Sequence, residues 1–554
     1  TYVPVSANHN RTGYHLGELA ELATPYVDFI ASQNSIPPEY NSSALIYGNA
    51  AYLKDRGINT DQNGNPRLFS NNKCALGAVE KANDPPVGVD PYAYQHFIIY
   101  GQSLSTGHEA YPVSMENIEG NYMIGEQVFI NYGNRNFDQL NPLRSTIALG
   151  YQDVSESPIH GAVNHIRLKQ QEVSPATENR FIATSAGVSG EPIEALSKES
   201  QMNSYYGYYQ ESLKYAKRIA TKTNSTLECP AIIFMQGEWN YQGHGNGLTP
   251  GSKPTADKDT YKNLLVQLKN NMQEEAQERY MQKEKPLFYT YQVGAQYTKG
   301  LRQEIGMAQV EASNQYDDII CVGPVYQMTD VGGHLDGNGY RWYGEMIGKV
   351  YHKTRILGED FKPLQPKYLE RDPDDPKRVL ITYHVPEPPI VLDTHTLSKK
   401  TNYGFKLYWM GQERTISDIS VVNDTIIAIT STSDISTGRI AIAYAGEASQ
   451  GHGNVRDSDN YQAFFNYEFP DKKDEDGHFI FDHGSKASLI PPSGEPRDEK
   501  GNLIYEQPYP LYNFSIAYYY EIPADKDRFD VYYITDAVNI ENVAEKNDLQ
   551  VYNS

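Results

Sequence analysis

The sequence predicts an α/β chain, with a mostly parallel sheet between helices followed by a region of short antiparallel strands. Three observations carry this expectation. From residue 91 to about 357, short apolar runs alternate with longer segments of helical spacing. Residues 358–377 (GEDFKPLQPKYLERDPDDPK) are then dense in proline and charge, and read as a linker. Beyond them, in 378–554, the apolar runs are all short and separated by turn residues, as in a β-sandwich.

The strand-like runs of the first region are Phe97–Tyr100, Gln127–Ile130, Phe181–Thr184, Ala231–Met235, Leu287–Gln292 and Ile319–Val322. Helical stretches are expected at 204–221, 258–279, 301–314 and 338–353. In the second of these, Tyr261, Leu264, Leu265, Leu268 and Met272 repeat at the spacing of one buried helix face. In the C-terminal region, strands are expected at Val379–Tyr383, Phe405–Trp409, Thr425–Thr430, Arg439–Ala445 and within 511–522, with long polar loops at 470–503. Residues 1–90 read as an N-terminal extension packed on the core, with a helical pattern from Tyr14 to Ile30.

Composition narrows the function classes. A chain of 554 residues exceeds one typical domain of about 100–200 residues. Its formal charge of −22 argues against nucleic acid or an anionic membrane as partner, because both need a basic surface. No apolar run approaches the roughly 20 residues of a membrane span. Three cysteines, Cys74, Cys229 and Cys321, support neither a disulfide framework nor a metal-binding spacing, and Cys229 and Cys321 adjoin strand-like runs as buried thiols do. Forty-five tyrosines are an excess, and tyrosine offers sugars a flat apolar face with a polar tip. The opening TYVPVSANHN lacks a basic stretch followed by an apolar one, so a signal peptide is either absent or already removed.

Chemistry concentrates where parallel strands end. HFIIYGQSLSTG (96–107) runs from a buried strand into Gly101-Gln102-Ser103, which sets a hydroxyl at the carboxyl edge of a sheet. SAGVSGEPIEAL (185–196) is a small-residue loop entering a helix at Pro192, a source of unpaired backbone N–H groups for an oxyanion. The strand at 231–235 continues into Gln236-Gly237-Glu238-Trp239-Asn240, where Gln236 offers an amide and Glu238 a carboxylate. The glycine-rich loop 243–247 follows, and its His244 reads as a loop residue. Finally, Thr329-Asp330-Val331 leads to His334 just ahead of a helix, where an imidazole can reach a serine on another strand.

Taken together and in this order, GQS, SGEPIEAL, MQGEWN and the late Asp330…His334 block resemble the SGNH hydrolase superfamily. They are most similar to its sialate O-acetylesterase and acetylxylan-esterase-like branches. The resemblance covers roughly 96–350. It implies a flavodoxin-like three-layer sandwich, with Ser103 as nucleophile, His334 as base, and Ser103, Gly190 and Gln236 as oxyanion-hole donors. Asp330, four residues before His334 where many relatives have an acid three before, is the expected orienting acid. Glu238 or a bare Ser–His dyad are the alternatives, and Glu238 and Gln102 are possible substrate contacts. Ser189 stands where a glycine is commoner. The C-terminal region (VPEPPIVLDT at 385–394, IAIAYAGEASQGHGNVRDSD at 440–459, YPLYNFSIAYYYEI at 509–522) resembles an accessory β domain of bacterial carbohydrate esterases.

What the resemblance implies is a serine esterase that removes O-acetyl groups from a carbohydrate through an acyl-enzyme, with no metal or organic cofactor. Its partner is an acetylated saccharide, and the expected location is extracellular, periplasmic or virion-associated. A catalytically weak carbohydrate-binding protein, such as a phage tail adhesin, uses the same features without turnover. A lipase would show a large apolar lid, for which the sequence has no candidate.

Overall fold

The computed structural model describes residues 93–468 and 508–531, except 133–135, 152–153, 174–177, 201–203, 295–298 and 332, together with the two-residue strands Gly48–Asn49 and Lys73–Cys74. The expected N-terminal extension and the polar loops of 470–503 lie almost wholly outside these residues.

The α/β part is built from β1 (Tyr94–Gly101), α1 (Ser103–Thr106), β2 (Asn121–Ile124), β3 (Leu140–Pro142), α2 (Pro158–Val173), β4 (Arg180–Ser185), α3 (Ser204–Lys222), β5 (Ala231–Met235), α4 (Lys258–Tyr280), β6 (Leu287–Gln292), α5 (Glu304–Gln315), β7 (Ile319–Pro324) and α6 (Gly337–Tyr351). The sheet runs β7-β6-β5-β1-β4-β2-β3. The β7/β6, β6/β5, β5/β1 and β2/β4 pairs are parallel, and β3 is an antiparallel edge. With β2 and β3 set aside, the order is that of flavodoxin-like sheets, whose direction of winding reverses between β1 and β5. The loops leaving those two strands therefore open the crevice that usually holds ligands.

Alternation along the strands explains the layers. Phe97, Ile99, Ala183, Ile233, Tyr289 and Tyr291 share one core with Ile159, Val163 and Ile166 of α2 and Tyr343, Met346 and Val350 of α6. Side chains of opposite parity face α3 and α4: Tyr100 packs on Tyr209, and His96 meets Tyr280. Helix α6 crosses α2 so closely that a Cβ at Gly344 would lie 2.3 Å from the Pro158 carbonyl oxygen.

Two expectations are corrected here. Gln127–Ile130 is not a strand; Phe129 makes only an isolated bridge to Ser185, and the paired strand is Asn121–Ile124. The linker of 358–377 contains β8 (Gln365–Arg371), paired with β9 (Arg378–His384). Leu369 is buried, and two of the charges are held in place: Arg371 donates to the Ile435 carbonyl and Asp372 accepts from Arg378.

The remaining strands are β10 (Phe405–Trp409), β11 (Gln412–Arg414), β12 (Ile416–Asn423), β13 (Ile426–Ser431), β14 (Ile440–Tyr444), β15 (Tyr518–Ile522) and β16 (Arg528–Asp530). They form two antiparallel sheets, β12-β13-β9-β8-β16 and β11-β10-β14-β15, whose inner faces meet in one core. Met307, Val310, Cys321 and Tyr326 of the α/β part belong to that same core. The expected boundary near 358 is thus no break in packing, and the described residues of 95–173 and 180–531 belong to one compact unit. Cys229 and Cys321 are buried free thiols.

Candidate active site

The nucleophile turn is fixed by its backbone. Gly101 sits at φ 140°, and a Cβ there would fall 2.0 Å from the Met235 carbonyl oxygen, so β1 and β5 approach at a distance only glycine permits. The Gln102 N–H donates to that same oxygen at 2.8 Å, and Ser103 begins α1 immediately after.

Ser103 and His334, expected together, are together. Ser103 Oγ lies 2.8 Å from His334 Nε2. The other ring nitrogen, Nδ1, lies 2.7 Å from Glu109 Oε2. Neither acid named from the sequence stands there. Asp330 bridges Leu335 through its backbone, in the tight loop that carries His334, and the acid on the imidazole comes instead from the segment after α1. Glu109 adopts a left-handed backbone (φ 59°), uncommon for a residue with a side chain, and strain of this kind concentrates at functional sites. The neighbouring His108 ring stands edge-on to the His334 ring, centroids 4.8 Å apart.

The histidine loop is held from behind. The Val331 N–H donates to the His334 carbonyl at 2.9 Å, and the Thr329 hydroxyl donates to Asp336 Oδ1 at 2.6 Å. That same oxygen caps α6 by accepting from the Gly339 N–H at 2.7 Å. Burial raises the Asp336 carboxyl to about 6.

The loop after β4 lies against the nucleophile turn. The Val188 N–H donates to the Gly101 carbonyl at 2.8 Å, and the Ser185 hydroxyl donates to the Ser105 carbonyl at 3.0 Å. Ser189 Oγ lies 3.3 Å from Thr106 Oγ1 and 3.2 Å from the Tyr132 hydroxyl, whose ionisation burial disfavours. This is the contact a glycine at 189 would lack. Among the described residues no acceptor faces the N–H of Ser103 or of Gly190.

Gln236 departs from its expected role. It is fully buried; its amide donates to Asn240 Oδ1 at 2.6 Å and more loosely to the Glu191 carbonyl at 3.4 Å, while its oxygen accepts from the Tyr261 hydroxyl at 2.9 Å. Both ends of the amide are spent, on Asn240 and Glu191 at one end and on Tyr261 of α4 at the other, so it closes the β5 turn instead of facing an oxyanion. Glu238 is also buried, accepts from the Tyr291 hydroxyl, and has its carboxyl pushed up to about 7 by desolvation. Gln102 binds the two loops together: its side-chain oxygen accepts from the N–H groups of Gly237 (3.1 Å) and Trp239 (3.0 Å). His244 remains a loop residue, edge-on to Trp239.

No protein-family profile matches the chain, and no curated protein sequence does. Among solved structures it is similar to a carbohydrate acetylesterase from Xanthomonas citri, with 12% identity, a TM-score of 0.43, and coverage of 65% of this chain and 77% of that one. A protein from Arabidopsis thaliana matches at 12% identity and a TM-score of 0.34, over 48% of this chain and 98% of that one. A carbohydrate esterase described for the divergent catalytic and non-catalytic binding functions of its active site matches at 10% identity and a TM-score of 0.27, over 48% and 70%. At these values the likeness assigns no residue a role.

Proposed function

We propose that the chain is a serine esterase of the SGNH type that removes O-acetyl groups from a carbohydrate. The observation that carries this reading is the hydrogen-bonded line Ser103 Oγ–His334 Nε2 (2.8 Å) and His334 Nδ1–Glu109 Oε2 (2.7 Å). A serine whose proton can pass to an imidazole that is itself oriented by a carboxylate is the arrangement of an activated nucleophile. The flavodoxin-like strand order and the position of the line at the winding reversal support it.

In this mechanism Ser103 Oγ attacks the acetyl carbonyl carbon as His334 Nε2 takes the hydroxyl proton. Glu109 accepts from Nδ1–H throughout, holding the ring's tautomer and stabilising the imidazolium. The oxyanion of the tetrahedral intermediate receives the Ser103 and Gly190 N–H groups. Collapse breaks the bond to the sugar oxygen, which leaves with the proton from Nε2. Water then repeats the sequence on the acyl-enzyme, releasing acetate and restoring the serine.

The test is acetate release from 4-nitrophenyl acetate and from an acetylated polysaccharide, wild type against Ser103→Ala. Hydrolysis that falls at least about 10³-fold in the variant is expected. A wild type no faster than Ser103→Ala on either substrate would overturn the esterase reading in favour of glycan binding without turnover.

A further inference from the structure

Next to the oxyanion loop the surface turns apolar. The tight turn Ala148–Tyr151, closed by the Tyr151 N–H on the Ala148 carbonyl at 3.0 Å, leaves Ile147 (42%), Leu149 (39%) and Tyr151 (51%) exposed. The turn is anchored, since the Leu149 N–H donates to the Gln127 side chain at 2.9 Å. Tyr151 stands edge-on to Tyr132, ring centroids 4.5 Å apart, and the Tyr132 hydroxyl lies 3.2 Å from Ser189 Oγ, beside Gly190. One side chain, Tyr132, therefore separates this exposed ring from the oxyanion loop.

We propose that Tyr151, with Ile147 and Leu149 beside it, is the platform on which a sugar ring of a neutral O-acetylated saccharide rests while its acetyl group lies at Ser103. The inference deepens the esterase reading and rests on it. An acetyl group has two carbons and cannot reach from Ser103 to this turn, so the alcohol side of the ester must. A fatty acyl chain would call for an enclosed apolar slot, because its whole surface gains from leaving water. An open aromatic face instead suits a pyranose, whose C–H face packs on the ring while its hydroxyls stay hydrated. None of the three side chains is charged, and a chain carrying −22 repels polyanions, which selects a neutral saccharide over an acidic one.

The experiment compares Tyr151→Ala with wild type on acetylated xylo-oligosaccharides, 4-nitrophenyl acetate and 4-nitrophenyl octanoate. The ratio of kcat/KM on the oligosaccharide to that on 4-nitrophenyl acetate should fall about tenfold, mostly through KM, as loss of a stacking contact does. Tyr151→Phe, which keeps the ring, should restore the ratio. A ratio that does not move overturns the platform, and a loss confined to the octanoate replaces it with an acyl groove. Binding of acetylated xylo- and cello-oligosaccharides to Ser103→Ala, with and without Tyr151→Ala, reads the platform without turnover. Where the wild type hydrolyses none of these substrates, binding that weakens at least fivefold upholds the platform and discards the esterase. Failure of both oligosaccharides to bind discards the neutral saccharide.

Discussion

Two polar clusters sit at the ends of neighbouring parallel strands, and they differ in what their hydrogen bonds leave over. After β1, Ser103, His334 and Glu109 form a line whose histidine and glutamate side chains are 20% and 22% exposed. After β5, Gln236 and Glu238 are buried, and each is bonded to a tyrosine that is buried as well. Both carry the residue types of acid–base chemistry. In the first, the imidazole and carboxylate stay partly exposed beside a serine that is itself 4% exposed, and among the described residues no acceptor faces the N–H of Ser103 or of Gly190. In the second, the donors and acceptors satisfy one another and hold loops. Gln102 joins the two, so the buried cluster fixes the position of the accessible one. Residue type proposes a chemistry, and access decides it.

The largest expected effect breaks the comparison at its first member. Glu109→Gln keeps the shape but removes the charge that stabilises an imidazolium, and should lower kcat roughly 10³-fold or more with KM little changed. Steady-state kinetics on 4-nitrophenyl acetate check this, with circular dichroism to confirm the fold. A loss below tenfold would return the orienting role to another acid.

The second cluster should answer in stability rather than rate. Glu238 has its carboxyl raised from 4.5 to about 7 by burial, so the folded chain keeps a proton that the unfolded chain gives up. Below pH 4.5 both states are protonated and the full contribution is present. As pH rises to 7 stability is lost, and above 7 the deficit is constant, at most about 3 kcal/mol. Glu238→Gln keeps an acceptor for Tyr291 and removes the titration. Its stability relative to wild type should grow from pH 4.5 to 7 and then level, read by urea unfolding across pH; a difference flat in pH would contradict the burial. Gln236→Ala should cost about 0.5–1.5 kcal/mol at any pH, because the Tyr261 hydroxyl keeps the residue's backbone carbonyl and Asn240 Oδ1 keeps the Ile193 N–H.

The same contrast explains what the sequence made legible. The strands at 97–100, 181–184, 231–235, 287–292 and 319–322 were visible because doubly covered parallel strands are continuous apolar runs. Helix α2 was missed although Ile159, Ala162, Val163 and Ile166 have helical spacing; His160, Gly161, Asn164 and His165 dilute the pattern with residues that burial also accommodates. Ser103 and His334 were legible because each sits in a block of small and polar residues at a strand end. Glu109 was not. It lies six residues past Ser103, in Gly107-His108-Glu109-Ala110, and an acid that reaches a histidine more than two hundred residues away leaves no spacing to read. Gln236 was legible as a site residue but not in its orientation, which depends on Asn240 and Tyr261 closing around it.

The smallest effect tests that last distinction at Asp330. Its place near His334 in the sequence is that of an orienting acid, yet Nδ1 of the imidazole is already held by Glu109 at 2.7 Å, and a ring nitrogen carries one proton to donate. Asp330→Asn preserves the shape of the buried turn and removes only the charge. Its kcat/KM should therefore stay within about threefold of wild type, the range of a remote charge in a polar crevice. The double variant sharpens the reading. If Glu109 alone orients the ring, Glu109→Gln with Asp330→Asn should be no slower than Glu109→Gln beyond that same factor, because additive effects mark sites that share no partner. A further hundredfold fall in the double variant would show Asp330 taking over the imidazole when Glu109 is lost, and the two acids would then be alternative partners of one histidine.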